Sequence, residues 1–470
     1  MIAPNRDRVI AVFLFVVLGG LAYSSAAGIT GSNDGASYAL TRALADEGRT
    51  IIDTFHDFTE GIDYAERDGH YYSDRAPGVS FLAVPFSRLG EWLGARPSEP
   101  YSKHDDGAPQ VPFVLLVPAF SAGAVAALVY LIARRLRAHA VGAALAGTAA
   151  VAGTLVWKTG ALFYRHVPAA ALLALTAFIA LGLPRRRDVA ARDDLFRGAA
   201  VGFFLGWATF CDQPAALFAG PIAIFALLRA CHHGPGIAVR RLALFGAGAL
   251  LGLAIPVAAQ LAYNRAAFGH MLADGYKYSL AFRYYTGLAQ VFSKSFAIGA
   301  KALLFGEPPF GSVAAVAPIL LVSLAGAVVL AFRRRWDEIV LLVGGATAIL
   351  YLVSKHVTYT AGADNDHRYL VCATPLVAPL LAVLLDPALR RGPPVAIPAL
   401  VPAIFAVIVS IHRQAEHIRL GGGHPILAGQ PVFTNLVNLP LWCAACAFVL
   451  AAWFAAARAV EAVATLRHAR

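Results

Sequence analysis

Residues 70–95 read HYYSDRAPGVSFLAVPFSRLGEWLGA, and whether this stretch crosses a membrane or lies along its surface decides the layout of the rest. It sits in a chain of 470 residues that is 58% hydrophobic and 14% charged, with a mean hydropathy of +0.63, outside the range of soluble domains. Apolar stretches able to span the hydrocarbon core as helices fall at 9–28, 110–133, 139–157, 164–183, 197–211, 213–230, 241–263, 310–332, 338–355, 370–386, 395–412 and 438–457. If 78–95 were a further span, the next helix would carry the "RRLR" of 134–137 to the outside, against the cytoplasmic bias of Lys and Arg. The stretch is therefore expected to lie flat. Leu82, Phe86, Leu89 and Leu93 share one helical face, Arg88 and Glu91 point elsewhere, and Trp92 suits the headgroup level. "ASYALTRALADE" (36–47) has the same amphipathic character.

With twelve spans, every basic cluster falls on one side: "NRDR", "RRLR", "PRRRD", the pairs at 240–241 and 390–391, "RRRW", and the "RHAR" tail. The formal charge of +11 then divides into +13 on that side and −2 on the other, so the first is read as cytoplasmic, with both termini. The excess reflects topology and anionic lipid, and nucleic acid binding is not called for. The Ala- and Arg-rich, Lys-poor composition suggests a bacterial plasma (inner) membrane protein. The expected fold is an all-α polytopic membrane protein with amphipathic interfacial helices in a long first outer loop, 30–109. All of 1–470 is read as one transmembrane domain with no separate soluble domain. The five cysteines lie in or beside apolar stretches, and Cys443 and Cys446, though spaced CxxC, read as small residues at a helix contact. "FCDQP" (210–214) is expected to be a tight turn around Asp212 that reaches the outer interface.

Four outer segments, 30–109, 264–296, 356–369 and 412–437, hold the polar chemistry, and their many tyrosines argue against disorder. Asp34 in "GSNDGASYALTRAL" is an N-cap on backbone amides or a general base made more basic by partial desolvation. In "YYSDRAPG", Asp74 and Pro77 can simply make a turn with Arg75 snorkelling outward. Alternatively, Arg75 binds a phosphate through its planar fork while Asp74 orients that fork or holds an acceptor. Tyr38, Tyr71, Tyr72 and Tyr369 offer rings for a sugar or acceptor. In "YTAGADNDHRYLVCATPL", Asp364 and Asp366 are weak candidates for a divalent cation. Arg368, with His367 beside it, is well placed to hold a lipid phosphate. Arg265 and Lys277 are further cations for phosphate or simple snorkelling groups, Arg165 in "YRHVP" has the same two readings, and His166 beside it reads as a structural histidine.

Taken in order, "ND" with Tyr38 after the first helix, "GHYYSDRAPGVSFLAVPF", "YN..FGH....GY" and "HRYL..ATP" resemble the GT-C superfamily of integral-membrane glycosyltransferases. The closest likeness is to protein O-mannosyltransferases and lipid A aminoarabinose transferases. The resemblance implies transfer of a sugar from a polyprenyl-phosphate carrier to a lipid, glycan or protein acceptor at the outer face, with inversion. It makes Asp34 the first-loop catalytic carboxylate, and it puts "DRAPG" where the family often carries Lys-Pro-Pro, with Arg75 for the lysine and Ala76 for the first proline. The rival is a transporter or flippase of lipid-linked saccharides. That reading would favour ionisable groups near the bilayer midplane and inverted repeats, and the sequence displays neither.

Overall fold

The computed structural model describes residues 4–26, 28–95, 109–183, 191–231, 235–273, 275–279, 288–307, 310–359, 365–419 and 440–449. Among them a helix occupies each of the twelve apolar stretches, from Pro4–Ser24 to the helix over 440–449. Seven helical segments are long and apolar enough to cross a membrane by length and composition, the longest being Pro235–Phe268. The protein is a polytopic helical membrane protein. One apolar helix, Phe296–Phe305, was not anticipated; it packs where Gly299 abuts the Ser354 carbonyl. The stretch 310–332 is broken into Val313–Val316, Pro318–Leu324 and Gly326–Phe332, and Pro318 explains the first break because it has no N–H to continue a helix.

Without a hydrophobic drive between helices in lipid, close packing falls to small residues. Ala191–Cys211 and Pro235–Phe268 meet this way: a Cβ on Gly202 would lie 1.9 Å from the Ala249 carbonyl oxygen, and one on Gly252 would lie 1.9 Å from that of Ala199. Among the described residues, basic clusters from separate segments meet at one end of the bundle. Arg134 pairs with Asp7 (3.1 Å), Arg241 with Asp194 (2.8 Å) and Arg333 with Asp386 (2.8 Å). Arg335 and Arg390 donate to the carbonyls of Leu136 and Arg137. The segments around Asp7, Arg134–Arg137, Arg333–Arg335 and Asp386–Arg390, far apart in sequence, thus share one end.

The segment that follows the first helix is built on short elements. Helix Ser32–Arg42 runs into a π-turn over Ala43–Glu47, which Gly48 ends at φ +65°. A 3₁₀ turn, Asp53–Thr59, follows, then strands Ala65–Arg67 and His70–Tyr72, paired antiparallel with Ala65 opposite Tyr72. Asp68 and Gly69 join these strands with φ of 54° and 79°, the left-handed pair a two-residue hairpin turn needs. Gly35 presses on the 3₁₀ turn so closely that a Cβ there would sit 1.8 Å from the Phe58 carbonyl oxygen. The quoted stretch 78–95 is helical over Gly78–Trp92. Its small face, Val79, Ala83, Ser87 and Gly90, is buried, while Trp92 and Leu93 are exposed.

Candidate active site

Asp34 is the third residue of its helix, not the cap; Gly31 takes that place. Its carboxylate turns back over the helix start. Oδ2 accepts from the Thr30 N–H (2.7 Å) and hydroxyl (3.2 Å), and Oδ1 from the N–H groups of Gly31 (2.8 Å) and Gly35 (3.2 Å). The residue is fully buried, and burial raises its pKa above the ordinary carboxylate value while the hydrogen bonds pull it down.

Two residues upstream of Asp34, Ser32 donates to Asp63 (2.7 Å), and Asp63 is ion-paired with Arg75. Hairpin 65–72 makes this possible by returning the chain alongside Asp63, so that Arg75 arrives from the next turn. Arg75 also donates to the Tyr276 hydroxyl (3.0 Å). Asp74 Oδ1 lies 3.3 Å from Arg75 Nε without hydrogen-bond geometry, while its Oδ2 accepts from Ser279 (3.0 Å). The two acids diverge electrically. Burial alone would raise Asp63, but the Arg75 guanidinium outweighs it and holds the carboxyl below its usual value. Burial pushes Asp74 up to about 6, with Asp63 adding to the rise and Arg75 opposing it.

Arg368 is buried, donates to the Tyr164 hydroxyl (3.2 Å), and lies over the rings of Tyr164 (5.0 Å) and Tyr369 (5.6 Å). Its backbone N–H donates to Asp366 Oδ1 (3.0 Å), and Asp366 Oδ2 takes Lys158 Nζ at 2.8 Å and His417 Nε2 at 3.5 Å. Lys158 and Asp366 are both completely buried. Next to Tyr164, Arg165 reaches Asp212 (3.4 Å), whose other oxygen meets His166 Nδ1 (2.8 Å) and the Cys372 thiol (3.5 Å). Asp63 lies in the field of Arg368 as well as Arg75, Tyr164 in that of both Arg368 and Asp34, and Arg165 in that of Arg75. Asp34, Asp63, Asp74, Arg75, Lys158, Tyr164, Arg165, His166, Asp212, Asp366 and Arg368, with Tyr276 and Ser279 against them, therefore build one buried polar cluster.

Asp34, Asp74, Arg75 and Arg368 converge there, with Tyr369 beside them. Other expected residues stand apart. Arg265 and Lys277 are exposed, in keeping with long cationic side chains that seek water. Tyr38 is sealed in the core, edge-on to Phe58 (4.9 Å) and hydrogen-bonded by Arg42 (3.2 Å). Tyr71 is half-buried and stacks on His56 (3.9 Å), and Tyr72 is buried against Phe268 (5.8 Å). The His367 ring is tied to the Gly311 carbonyl (2.6 Å), and burial pushes its pKa down to about 4, so it is neutral near pH 7. Asp366 is engaged by an ammonium group, Asp364 lies outside the described residues, and among those described no three His, Cys, Asp or Glu side chains gather as metal ligands. The "FCDQP" turn forms as a 3₁₀ segment, Gln213–Phe218, but Asp212 is buried. Asp63, Lys158, Asp212 and Tyr276 went unassigned, and Arg165 and His166 are part of the cluster. Two signals pointed to them: the Asp-Gly hairpin at 68–69, and a lysine closing an apolar stretch.

This arrangement of helices is the fold of the GT-C glycosyltransferases. Solved structures of ArnT from Cupriavidus metallidurans share it at 16% identity, covering 90% of this chain and 77% of theirs, with TM-scores of 0.53 for the apo state and 0.51 for the complex with undecaprenyl phosphate. AglB, an archaeal oligosaccharyltransferase from Archaeoglobus fulgidus solved with an inhibitory peptide and a dolichol-phosphate, aligns at 11% identity over 90% of this chain and 56% of its own, with a TM-score of 0.49. No family model matches the chain, and no curated protein matches it in sequence. At these identities the likeness is one of fold.

Proposed function

We propose that this protein transfers a hexose or pentose from a polyprenyl-phosphate carrier to an acceptor hydroxyl at the non-cytoplasmic face of a bacterial inner membrane, with inversion. The observation that carries the proposal is the buried cluster itself. Guanidinium and carboxylate groups from five separated segments are taken out of water together, an arrangement that costs several kcal/mol per ion and marks candidate functional sites, and they are held in a fold shared with polyprenyl-phosphate-binding ArnT. The cytoplasmic bias of Lys and Arg supports reading the arginine-rich end as the inner one and the cluster as lying towards the outer side.

In the proposed reaction the acceptor oxygen bonds to the anomeric carbon as the bond from that carbon to the phosphate oxygen breaks. The electron pair leaves on the phosphate, where Arg75 and Arg368 stabilise it, and the hydroxyl proton passes to a carboxylate. Asp34 takes that proton, the acceptor hydroxyl displacing that of Thr30, the one side-chain donor on its carboxylate. Ionised Asp74 holds Arg75 in register.

The test is a transfer assay on purified protein in lipid nanodiscs with polyprenyl-phosphate sugars. Arg368→Ala is expected to raise the donor KM at least tenfold, and an unchanged KM would locate the phosphate elsewhere. Because Asp74 must be ionised to orient Arg75 and its pKa lies at about 6, transfer is expected to rise with pH through an inflection near that value. A flat profile between pH 5 and 7 would remove Asp74 from the mechanism. The stability effect runs the other way. A raised carboxyl pKa stabilises the fold below its unfolded value, and this is lost as pH climbs through the folded pKa.

A further inference from the structure

Arg165 presents a feature that the reading above does not use. It is 8% exposed, its Nε points to Asp212 at 3.4 Å, and its buried Nη1 has no hydrogen-bond partner. An orphaned donor in a buried site costs roughly 1–3 kcal/mol, and in a native fold it calls for an explanation in terms of a missing ion or a functional role. The cost is not the accident of a loose side chain. Asp212 grips Arg165 on one oxygen and His166 on the other, a fixed brace that holds the guanidinium where it is. Arg165 also caps the sixteen-residue helix His166–Leu181, whose N-terminal amides carry partial positive charge and favour anions.

What lies around it points to an anion rather than to water. Arg165 and Arg75 lie in each other's field, a repulsion between like charges, and both act on the Tyr276 ring system. Arg75 is already hydrogen-bonded to the Tyr276 hydroxyl. An anion seated beside Tyr276 would satisfy Arg165 Nη1 and relieve the repulsion at the same time. Planar guanidinium forks suit the tetrahedral oxygens of a phosphate.

Building on the glycosyltransferase reading, we propose that Arg165, braced by Asp212, donates Nη1–H to the phosphate of the lipid carrier, opposite Arg75 across Tyr276. The carrier phosphate is thereby held by guanidinium groups from three separate segments, Arg75, Arg165 and Arg368. Arg165 is a binding residue, and Asp212 is a positioning residue that acts through it.

The test measures equilibrium binding to full-length protein in nanodiscs of neutral lipid, with undecaprenyl phosphate and phosphatidylglycerol as separate titrants. Wild type is expected to bind undecaprenyl phosphate, Arg165→Gln at least tenfold more weakly, and Asp212→Asn between the two, with phosphatidylglycerol binding unchanged by either substitution. Equal binding of undecaprenyl phosphate by Arg165→Gln and wild type overturns the inference. An equal loss for phosphatidylglycerol also overturns it, because the site would then take any lipid headgroup phosphate. Failure of the wild type itself to bind undecaprenyl phosphate strikes the parent reading instead. If the Gln variant does not fold, Arg165→Lys carries the test. Lysine keeps the charge without the fork, so it should bind several-fold more weakly, and wild-type binding by it sinks the proposal.

Discussion

Asp34→Asn is expected to lose sugar transfer by a factor of about 10² or more and, at the same time, to weaken the fold around the start of its helix. The second effect follows from the hydrogen bonds around the carboxylate. All four donors on Asp34 point inward, three of them backbone N–H groups of Thr30, Gly31 and Gly35. An amide must turn its NH₂ towards one of those pairs, setting donor against donor in a fully buried site, at a cost of about 1–3 kcal/mol for each group left unsatisfied. Loss of activity in this variant alone would therefore not separate chemistry from folding. Thr30→Val separates them. It removes only the hydroxyl, which contributes a single 3.2 Å bond to Oδ2, and leaves the backbone donors in place. A carboxylate relieved of one donor is more basic. If Asp34 accepts the acceptor's proton, the acid limb of the Thr30→Val pH profile should move upward, with less than a tenfold change in the maximal rate. If Asp34 serves only to fasten the helix start, Thr30→Val should leave the pH profile where it was and move only thermal stability.

The spans were legible because composition and hydrophobic length are local properties of the chain. The convergence of Asp34, Asp74, Arg75 and Arg368 was foreseen only as a requirement, since no local rule connects residue 34 to residue 368. What the residues could not reveal was who pairs with whom. Asp63 sits in an ordinary acidic loop, and its ion pair with Arg75 exists because the Asp68–Gly69 turn folds the strands back, a signal present in "ERDGHYY" but not weighed. Arg165 was left between a phosphate contact and a snorkelling cation, and His166 was read as structural; their shared partner, Asp212, is 46 residues from His166 and becomes adjacent only through helix packing. Arg265 and Lys277 had two readings, a phosphate contact or a snorkelling cation, and both are exposed. Their type suited a phosphate, but a cation at an outer loop finds water unless packing takes it away, and here packing does not. Tyr38 was misplaced for a similar reason: a tyrosine two turns into an amphipathic helix can face either side, and Phe58 and Arg42 claim its ring and hydroxyl.

Lys158→Met is expected to have the largest effect on stability, about 3–5 kcal/mol, the usual cost of removing one partner from a buried ion pair. Neither Lys158 nor Asp366 is exposed to water at all, so the abandoned carboxylate would be left with His417 at 3.5 Å and the Arg368 N–H at 3.0 Å. Those are not equivalent to an ammonium at 2.8 Å. Asp366 is also the anchor of the turn that delivers Arg368 to the cluster, because one of its oxygens fixes the Arg368 backbone while the other is fixed by Lys158. Loosening that turn should raise the donor KM more than it lowers kcat, since it misplaces a group proposed to hold phosphate and leaves the carboxylate at Asp34 untouched. The double variant Lys158→Met, Asp366→Leu supplies the contrast. With both charges gone the desolvation penalty is gone as well, and replacing a buried pair by apolar residues is often neutral or better, so thermal stability measured in detergent should return most of the way to wild type. The donor KM should stay high, because leucine cannot accept the Arg368 N–H. Recovery of both quantities together would mean that the pair supports the bundle without positioning Arg368, and recovery of neither would mean that the charges are held for some purpose other than each other.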